Sequence, residues 1–310
     1  MSTSSPHGAD SVSQAPAETL DRVPSIGRLI AVAATQRKKS GGDGSAASLP
    51  GRVVLLENVE IDVRALADYC HLLQVAMRDH LPTSYLHVLT FPLQVHLMAS
   101  PDFPFPMAGM VHIANTMTMH RPVGVAERLR LSVHAGGLTP HPKGVALDLV
   151  GEVTSGGEEV WRGRSTYLVR GVGEQPSAPA SVSEGERDGR AEDPAAMASV
   201  AQWRVGSDVG RRFAAVAGDV NPIHLSSLAA KAFGFPRAIA HGMWTHARAL
   251  GALEGRLGPR HTVRVEFRKP ILLPSTVALR LRRSDVGYAF AVTDRAGERE
   301  HMIGTVSQSD

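Results

Sequence analysis

The chain has 310 residues, with 33 Lys+Arg against 30 Asp+Glu, a formal net charge of +3 and a pI of about 9.2. At 43% hydrophobic and 20% charged it has the balance of a globular protein, which excludes wholesale disorder. At roughly 150 residues per domain the length predicts two ordinary domains or one large one, and no apolar run approaches the ~18 residues of a membrane span.

Residues 1–22 read as a disordered Ser/Ala/Pro-rich tail, without the basic start and apolar block of a secretory signal. A first domain is expected over 23–172. Arg37, Lys38 and Lys39, followed by Ser40 to Ser48, read as a polar loop. Leu66, Cys70, Leu73 and Met77 fall at i, i+4, i+7 and i+11 behind Asp62, the pattern of an N-capped amphipathic helix. Cys70 on that stripe reads as inert core. As the single cysteine it excludes an internal disulfide and fits a reducing cytoplasm. A second helix is expected over His87–Ala99, kinked or shortened by Pro92. Strands follow through Leu129, Leu131 and Val133, then Val145, Leu147 and Leu149.

Residues 173–199 turn Ser/Ala/Pro/Gly-rich, with six acidic residues against Arg187 and Arg190, and read as a flexible acidic linker. The second domain, 200–310, is basic: residues 201–310 carry 16 Lys+Arg against 9 Asp+Glu. A helix is expected from Pro222 to Ala232, ending at Gly234. A longer one should run from Met243 to Leu257, stopped by Gly258-Pro259. Val263, Val265 and Phe267 alternate with charged residues, Lys269-Pro270-Ile271 follows, and further strands pass through Val277, Leu279, Leu281 and Tyr288, Phe290, Val292.

The two halves share this pattern. Arg121-Pro122-Val123 and Lys269-Pro270-Ile271 lie 148 residues apart, and the strands behind each keep the same phase. A long helix followed by antiparallel strands, twice over, predicts a duplicated α+β fold.

The sharpest local feature is Ala217-Gly218-Asp219-Val220-Asn221-Pro222-Ile223-His224. Gly218 permits unusual dihedrals, Asp219 and Asn221 can bond nearby backbone, and Pro222 fixes φ at a helix start. Such a loop can hold a carboxylate and an imidazole toward one cavity, the pair that general acid–base chemistry on a water molecule requires.

Gly218-Asp219-x-Asn221-Pro222-x-His224, followed by His241-Gly242-Met243, resembles the MaoC-like, hydratase-2 group of hot-dog-fold proteins, which are (R)-specific enoyl-thioester hydratases or 3-hydroxyacyl-thioester dehydratases. The resemblance covers roughly residues 200–310; the first half resembles the degenerate hot-dog of the family's double members. It implies a double hot-dog, two antiparallel sheets each wrapped around a central helix, forming a pseudo-dimer. It makes Asp219 and His224 the catalytic pair and the Gly242 N–H the oxyanion donor. Gly218, Asn221 and Pro222 would shape the loop. His241, Met243, Phe91, Leu97 and Phe105 are candidates for substrate contact, and Lys231 and Arg237 for the phosphates of coenzyme A or an acidic acyl carrier protein. No metal or other cofactor is implied, and a homodimer of double hot-dog chains is the assembly to expect. The first half lacks the motif between Leu81 and His87 and should be catalytically silent, leaving room for a longer acyl chain.

Plainer readings stand beside these. His241 reads first as a helix-start residue, and His246 as packed or solvent-facing. Trp161, Trp203 and Trp244 read as packing residues, and the scattered aromatics argue against nucleic acid. No histidine pair has metal-ligand spacing beside a carboxylate. A hot-dog thioesterase and a non-catalytic acyl-binding protein are the rival functions.

Overall fold

The computed structural model describes residues 15–35, 48–107, 109–172 and 194–309. The expected polar loop, apart from its last residue, and most of the acidic linker lie outside them.

Secondary structure follows the local chemistry. The first strand, β1 (Ala17–Leu20), pairs in parallel with β2 (Val53–Val59), so the end of the expected tail is ordered. Ionic contacts hold it there: Arg52 bridges Glu18 at 2.7 Å and also reaches Asp102, while His96 Nε2 lies 2.7 Å from Glu18. Helix α1 (Ile26–Thr35) lies between these strands in sequence. Helix α2 (Val63–Leu73) is capped as expected, the Asp62 carboxylate accepting from the N–H groups of Arg64 and Ala65. It buries Leu66, Tyr69, Cys70 and Leu73, then stops at Gln74 in the left-handed conformation, leaving Met77 exposed beyond it.

The central helix of the first half, α3 (Thr83–Ala99), starts four residues before the expected His87 and runs unbroken through Pro92. Pro92 removes one intrahelical hydrogen bond, but apolar contact around the whole helix outweighs that loss. Strands β3 (Met110–Met119), β4 (Leu129–His141), β5 (Gly144–Ser155) and β6 (Glu158–Arg170) follow.

The second half opens earlier than expected. A short 3-10 turn at Pro194–Ala196 leads into β7 (Ala198–Val205), which pairs with β9 (Ser275–Ser284). Between them come α4 (Val209–Ala217), α5 (Pro222–Leu225), α6 (Ser227–Ala232), α7 (Gly242–Ala252) and β8 (Arg260–Phe267). The single helix expected from Pro222 to Ala232 is split, because extended Ser226 turns its hydroxyl to the N–H groups of Leu228 and Ala229 and starts a new helix. Helix α7 ends five residues before the expected Leu257: the chain tightens into i→i+3 turns at Leu253 and Glu254 and then passes Gly255 at φ +79°. The final strands are β10 (Gly287–Asp294) and β11 (Glu300–Ser309).

The eleven strands among the described residues form one sheet, ordered β1-β2-β4-β5-β6-β3-β8-β11-β10-β9-β7. Without β1 the order is a palindrome, β2-β4-β5-β6-β3 answered by β7-β9-β10-β11-β8 read from the other edge. That is the duplication expected from sequence, a double hot-dog with α3 and α7 as its two central helices. The halves join where β3 pairs with β8, from Ala114 opposite Glu266 to Met119 opposite His261. One apolar core runs through both halves. Arg248 on α7 ties them further, donating to the Leu73 carbonyl at 2.7 Å and to Gln74, with its guanidinium 5.1 Å from the Trp203 ring.

The turn after β3 is pinned by charge. Arg121 holds Glu127 through two 3.0 Å bonds and Glu158 through a third, while Glu127 also accepts the Gly124 N–H. These contacts push the Glu127 carboxyl down to about 2. A folded-state value below the unfolded one means stability present above about pH 4.5 and lost as the pH falls toward 2. Glu127→Gln should therefore flatten the pH dependence of urea unfolding across that window. The difference at neutral pH should be on the order of 1–2 kcal/mol after solvent screening.

Candidate active site

The Gly218–His224 loop is built by the helices on either side of it. Helix α4 ends at Gly218, whose φ of +76° lets the chain reverse while its N–H bonds the Ala214 carbonyl. The Asp219 carboxylate then accepts the Asn221 N–H at 3.2 Å, and Asn221 caps α5 with Pro222 in the first turn. Asn221 and Pro222 thus shape the loop, as their residue types imply. Ile26 of α1 packs on Gly218, with its Cδ1 2.7 Å from where a Cβ would stand.

Beneath the loop, Gly210 of α4 touches the backbone of His224 so closely that a Cβ would fall 1.9 Å from the His224 carbonyl oxygen. Sequence reading passed over Gly210, since nothing local distinguishes it from any other helical glycine. The Ala238–Ala240 segment runs alongside, tied to Ile223 through the Ile239 N–H and to Ile271 and Leu273 through two more backbone bonds. That fixes the Ile239 carbonyl, which accepts from His224 Nδ1 at 2.9 Å. With the proton on Nδ1, the lone pair of His224 is on Nε2.

His241 is the helix-start residue expected, at the N-cap of α7, and is also part of the site. It is 2% exposed, its Nε2 donates to the Asp219 backbone carbonyl at 2.9 Å and lies 3.7 Å from the carboxylate. Its ring stacks on His224 with centroids 3.7 Å apart, and Phe213 closes the other side at 5.0 Å. The ligand atoms of Asp219, His224 and His241 all lie within 4.8 Å of one another. That donor set could accept a divalent cation, a cluster invisible to spacing rules because His241 arrives from beyond two helices.

Gly242 follows as the first residue of α7, where helix geometry leaves N–H groups without intrahelical acceptors and the dipole favours negative charge. The Phe267 ring lies 3.0 Å from the position a Cβ would take there, so a larger residue would press on it. Met243 beside it is half-buried.

Burial governs the protonation of both histidines. It pushes His224 below its ordinary value, against the opposing pull of Asp219 and the Ile239 carbonyl. It pushes His241 to about 4, assisted by the neighbouring His224.

The first half faces this site across the seam. His87 on α3, His112 on β3 and Tyr167 on β6 all lie within electrostatic reach of Asp219. Phe91 is half-buried with its ring 6.1 Å from His87, so it joins this wall. Leu97 and Phe105 are buried core side chains, Phe105 set edge-on to Phe103 at 6.4 Å. Lys231 and Arg237 are exposed, on α6 and the segment leading to Ile239. His246, expected to be packed or solvent-facing, is fully enclosed at 0% exposure.

The equivalent place in the first half, the start of α3, has no such loop. The Thr83 hydroxyl donates there to His261 Nε2 at 2.8 Å, beside a cavity of about 290 Å³ lined by Leu81, Met119, Leu250 and Gly251 among others.

Residues 186–302 match the MaoC like domain family. The chain is 34% identical over 261 residues to 3-hydroxyacyl-thioester dehydratase X of Mycobacterium tuberculosis, covering 83% of this chain and 90% of that protein. The chain belongs to the MaoC-like dehydratase family. The crystal structure of HtdX from the same organism superposes with a TM-score of 0.72 at 33% identity, over 83% of this chain and all of that one. A MaoC-like dehydratase from Phytophthora capsici shares the fold, with a TM-score of 0.67 at 17% identity over 83% of this chain and 94% of that one. Within this MaoC-like chain, Gly218–His224 is the segment that α4, α5 and the Ala238–Ala240 stretch hold around Asp219.

Histidine titration by NMR tests this arrangement. His224 should titrate below its ordinary value, and His241 near 4. Asp219→Asn should move both lower still, because Asp219 is the group holding their proton affinity up. Unchanged or raised values would contradict the geometry.

Proposed function

We propose that the protein is a hydro-lyase of the hydratase-2 type, adding water to trans-2-enoyl thioesters or removing it from (R)-3-hydroxyacyl thioesters in fatty-acid metabolism. The observation that carries this is the buried neutral His224, its Nε2 lone pair set beside the Asp219 carboxylate, with the free N–H of the α7 start close by. The 34% identity to a named 3-hydroxyacyl-thioester dehydratase supports the same class.

In the hydration direction a water molecule sits between Asp219 and His224. Asp219 accepts one of its hydrogens as a hydrogen bond and orients it; His224 Nε2 takes the other as a proton. The water oxygen bonds to C3, and the C2–C3 π pair moves toward C1 and the thioester oxygen. The Gly242 N–H donates to that oxygen as charge develops there, a contribution typically worth ~3–4 kcal/mol. The imidazolium then returns the proton to C2. One water has been split across C3 and C2, and the side chains are as they began.

The thioester carrier is coenzyme A or an acyl carrier protein. Exposed Lys231 and Arg237 border the segment that leads into the site, which suits the phosphates of either. No metal or redox group enters these steps. The first half, without a Gly-Asp-x-Asn-Pro-x-His loop at α3, acts as the wall of the acyl site.

Asp219→Asn and His224→Gln should each lower kcat/KM for hydration of crotonyl-CoA by about 10²–10⁴-fold with little change in thermal midpoint. Near-wild-type rates in both would remove the assignment. Trapping of free thiol in the same assay separates a thioesterase from a hydratase.

A further inference from the structure

The acyl site has a second polar face. Beyond Asp219, a run of rings crosses the seam: Phe267 of β8 against Gly242, then from the first half His112 tilted at 5.0 Å from Phe267, Tyr167 stacked at 4.7 Å from His112, and His87 stacked on His112 at 6.4 Å. His246 of α7 is within electrostatic reach of both His87 and His112. These groups adjoin the Phe267 ring that packs on Gly242, and His87 and His112 are within electrostatic reach of Asp219, so they border the site.

An acyl tail made only of methylenes has no use for imidazoles here. His87 is 4% exposed and His246 0%, and His112 is half-buried with its Nε2 enclosed. His87 Nδ1, His112 Nε2 and both ring nitrogens of His246 have no hydrogen-bond partner among the described residues. A buried polar nitrogen is normally paired, and leaving several unpaired side by side is a feature that calls for a ligand. A neutral imidazole offers one N–H and one lone pair, so it can pair with a hydroxyl in either sense. Burial keeps these rings neutral, His87 near 4 and His112 and His246 near 3, so an anionic tail is not the match.

We propose that His87, His112 and His246 form a hydrogen-bonding subsite for an uncharged oxygen carried on the acyl chain beyond C3, so that the enzyme prefers hydroxylated enoyl thioesters over plain alkyl ones. The subsite rests on the hydratase reading of Asp219 and His224, and adds to it the chemical class of the acyl group. A site that hydrogen-bonds a substrate hydroxyl discriminates against the analogue lacking it, because its own polar groups are then left unpaired.

The test compares hydration of trans-2-octenoyl-CoA with that of its 6-hydroxy, 7-hydroxy and 8-hydroxy derivatives, using the full chain. At least one hydroxylated substrate should be favoured in kcat/KM by about tenfold or more, the effect of a single hydrogen bond gained. His112→Phe keeps the ring stack and His87→Leu keeps bulk; in each the hydroxylated-to-plain ratio should fall toward one. A ratio is insensitive to the amount of folded enzyme, so partial misfolding of a variant cannot imitate the result. Equal kcat/KM for all four substrates, with octenoyl-CoA turned over, overturns the subsite and leaves the hydratase reading standing. A preference that survives both substitutions overturns it too. Loss of all hydration in the wild-type enzyme is a failure of the hydratase reading itself, and the subsite falls with it.

Discussion

The antiparallel pairing of β3 with β8 is the constraint on which the site depends. Six residue pairs, from Ala114–Glu266 to Met119–His261, join two half-sheets into one, with a Thr118–Thr262 side-chain bond of 3.0 Å within them. Side chains alternate faces along a strand, so a slip of one residue would turn His112 and Phe267 away from the helices they face. Register here decides which residues of the first half confront Asp219. The second half carries the Gly218–His224 loop, and the seam gives that loop its opposite wall.

The seam also makes the molecule a pseudo-dimer with unequal ends. His87 and His246 occupy the same position, four residues past the starts of α3 and α7, and interact across the middle of the fold. At one end, α7 begins with His241 and Gly242 under a loop carrying Asp219 and His224. At the other, α3 begins after Pro82 with no side-chain cap, and Thr83 is occupied by His261. The duplication thus has two similar cradles, and only the second carries the Asp219 and His224 side chains at its helix start. The first half also reaches into the active end directly, since Ile26 of α1 packs on Gly218.

Local chemistry was legible in the sequence, and long-range assembly was not. The loop from Gly218 to His224 could be read because glycine, Asx turns and a helix-starting proline all act within a few residues. Gly242 at a helix start was legible for the same reason. The repeated basic-Pro-apolar step pointed to a duplication, and the palindromic order of the sheet agrees with it. Helix limits were misjudged where tertiary contact overrules local preference: α3 passes through Pro92 because it is enclosed on all sides, and α7 stops early at turns that precede Gly255. The supports of the site were invisible. Gly210 matters only because α4 approaches the His224 backbone, and Ile239 only because its carbonyl points at Nδ1. His87, His112 and Tyr167 lie more than fifty residues from Asp219 in sequence, and no spacing rule joins them. One signal was present: a histidine recurs at the fifth position of each central helix, once the duplication is aligned on α3 and α7 rather than on the prolines.

A base that works on water has to satisfy two opposed demands. At rest it must be neutral, with its lone pair free; after taking the proton it must bear a charge in a place where charge is costly. Burial of His224 at 9% exposure meets the first demand by penalising the imidazolium. Burial alone would make the second impossible, and here two groups oppose it: the Asp219 carboxylate and the Ile239 carbonyl both favour the protonated ring. The carbonyl acts through Nδ1, so it fixes which nitrogen receives the proton as well as stabilising the product of transfer. His241 shares the same enclosure, its Nδ1 has no partner among the described residues, and burial pushes its proton affinity down to about 4. Of the two stacked histidines, the proposed role of proton acceptor therefore falls to His224, while His241 holds the Asp219 backbone through its Nε2. That division depends on which backbone carbonyl each imidazole meets.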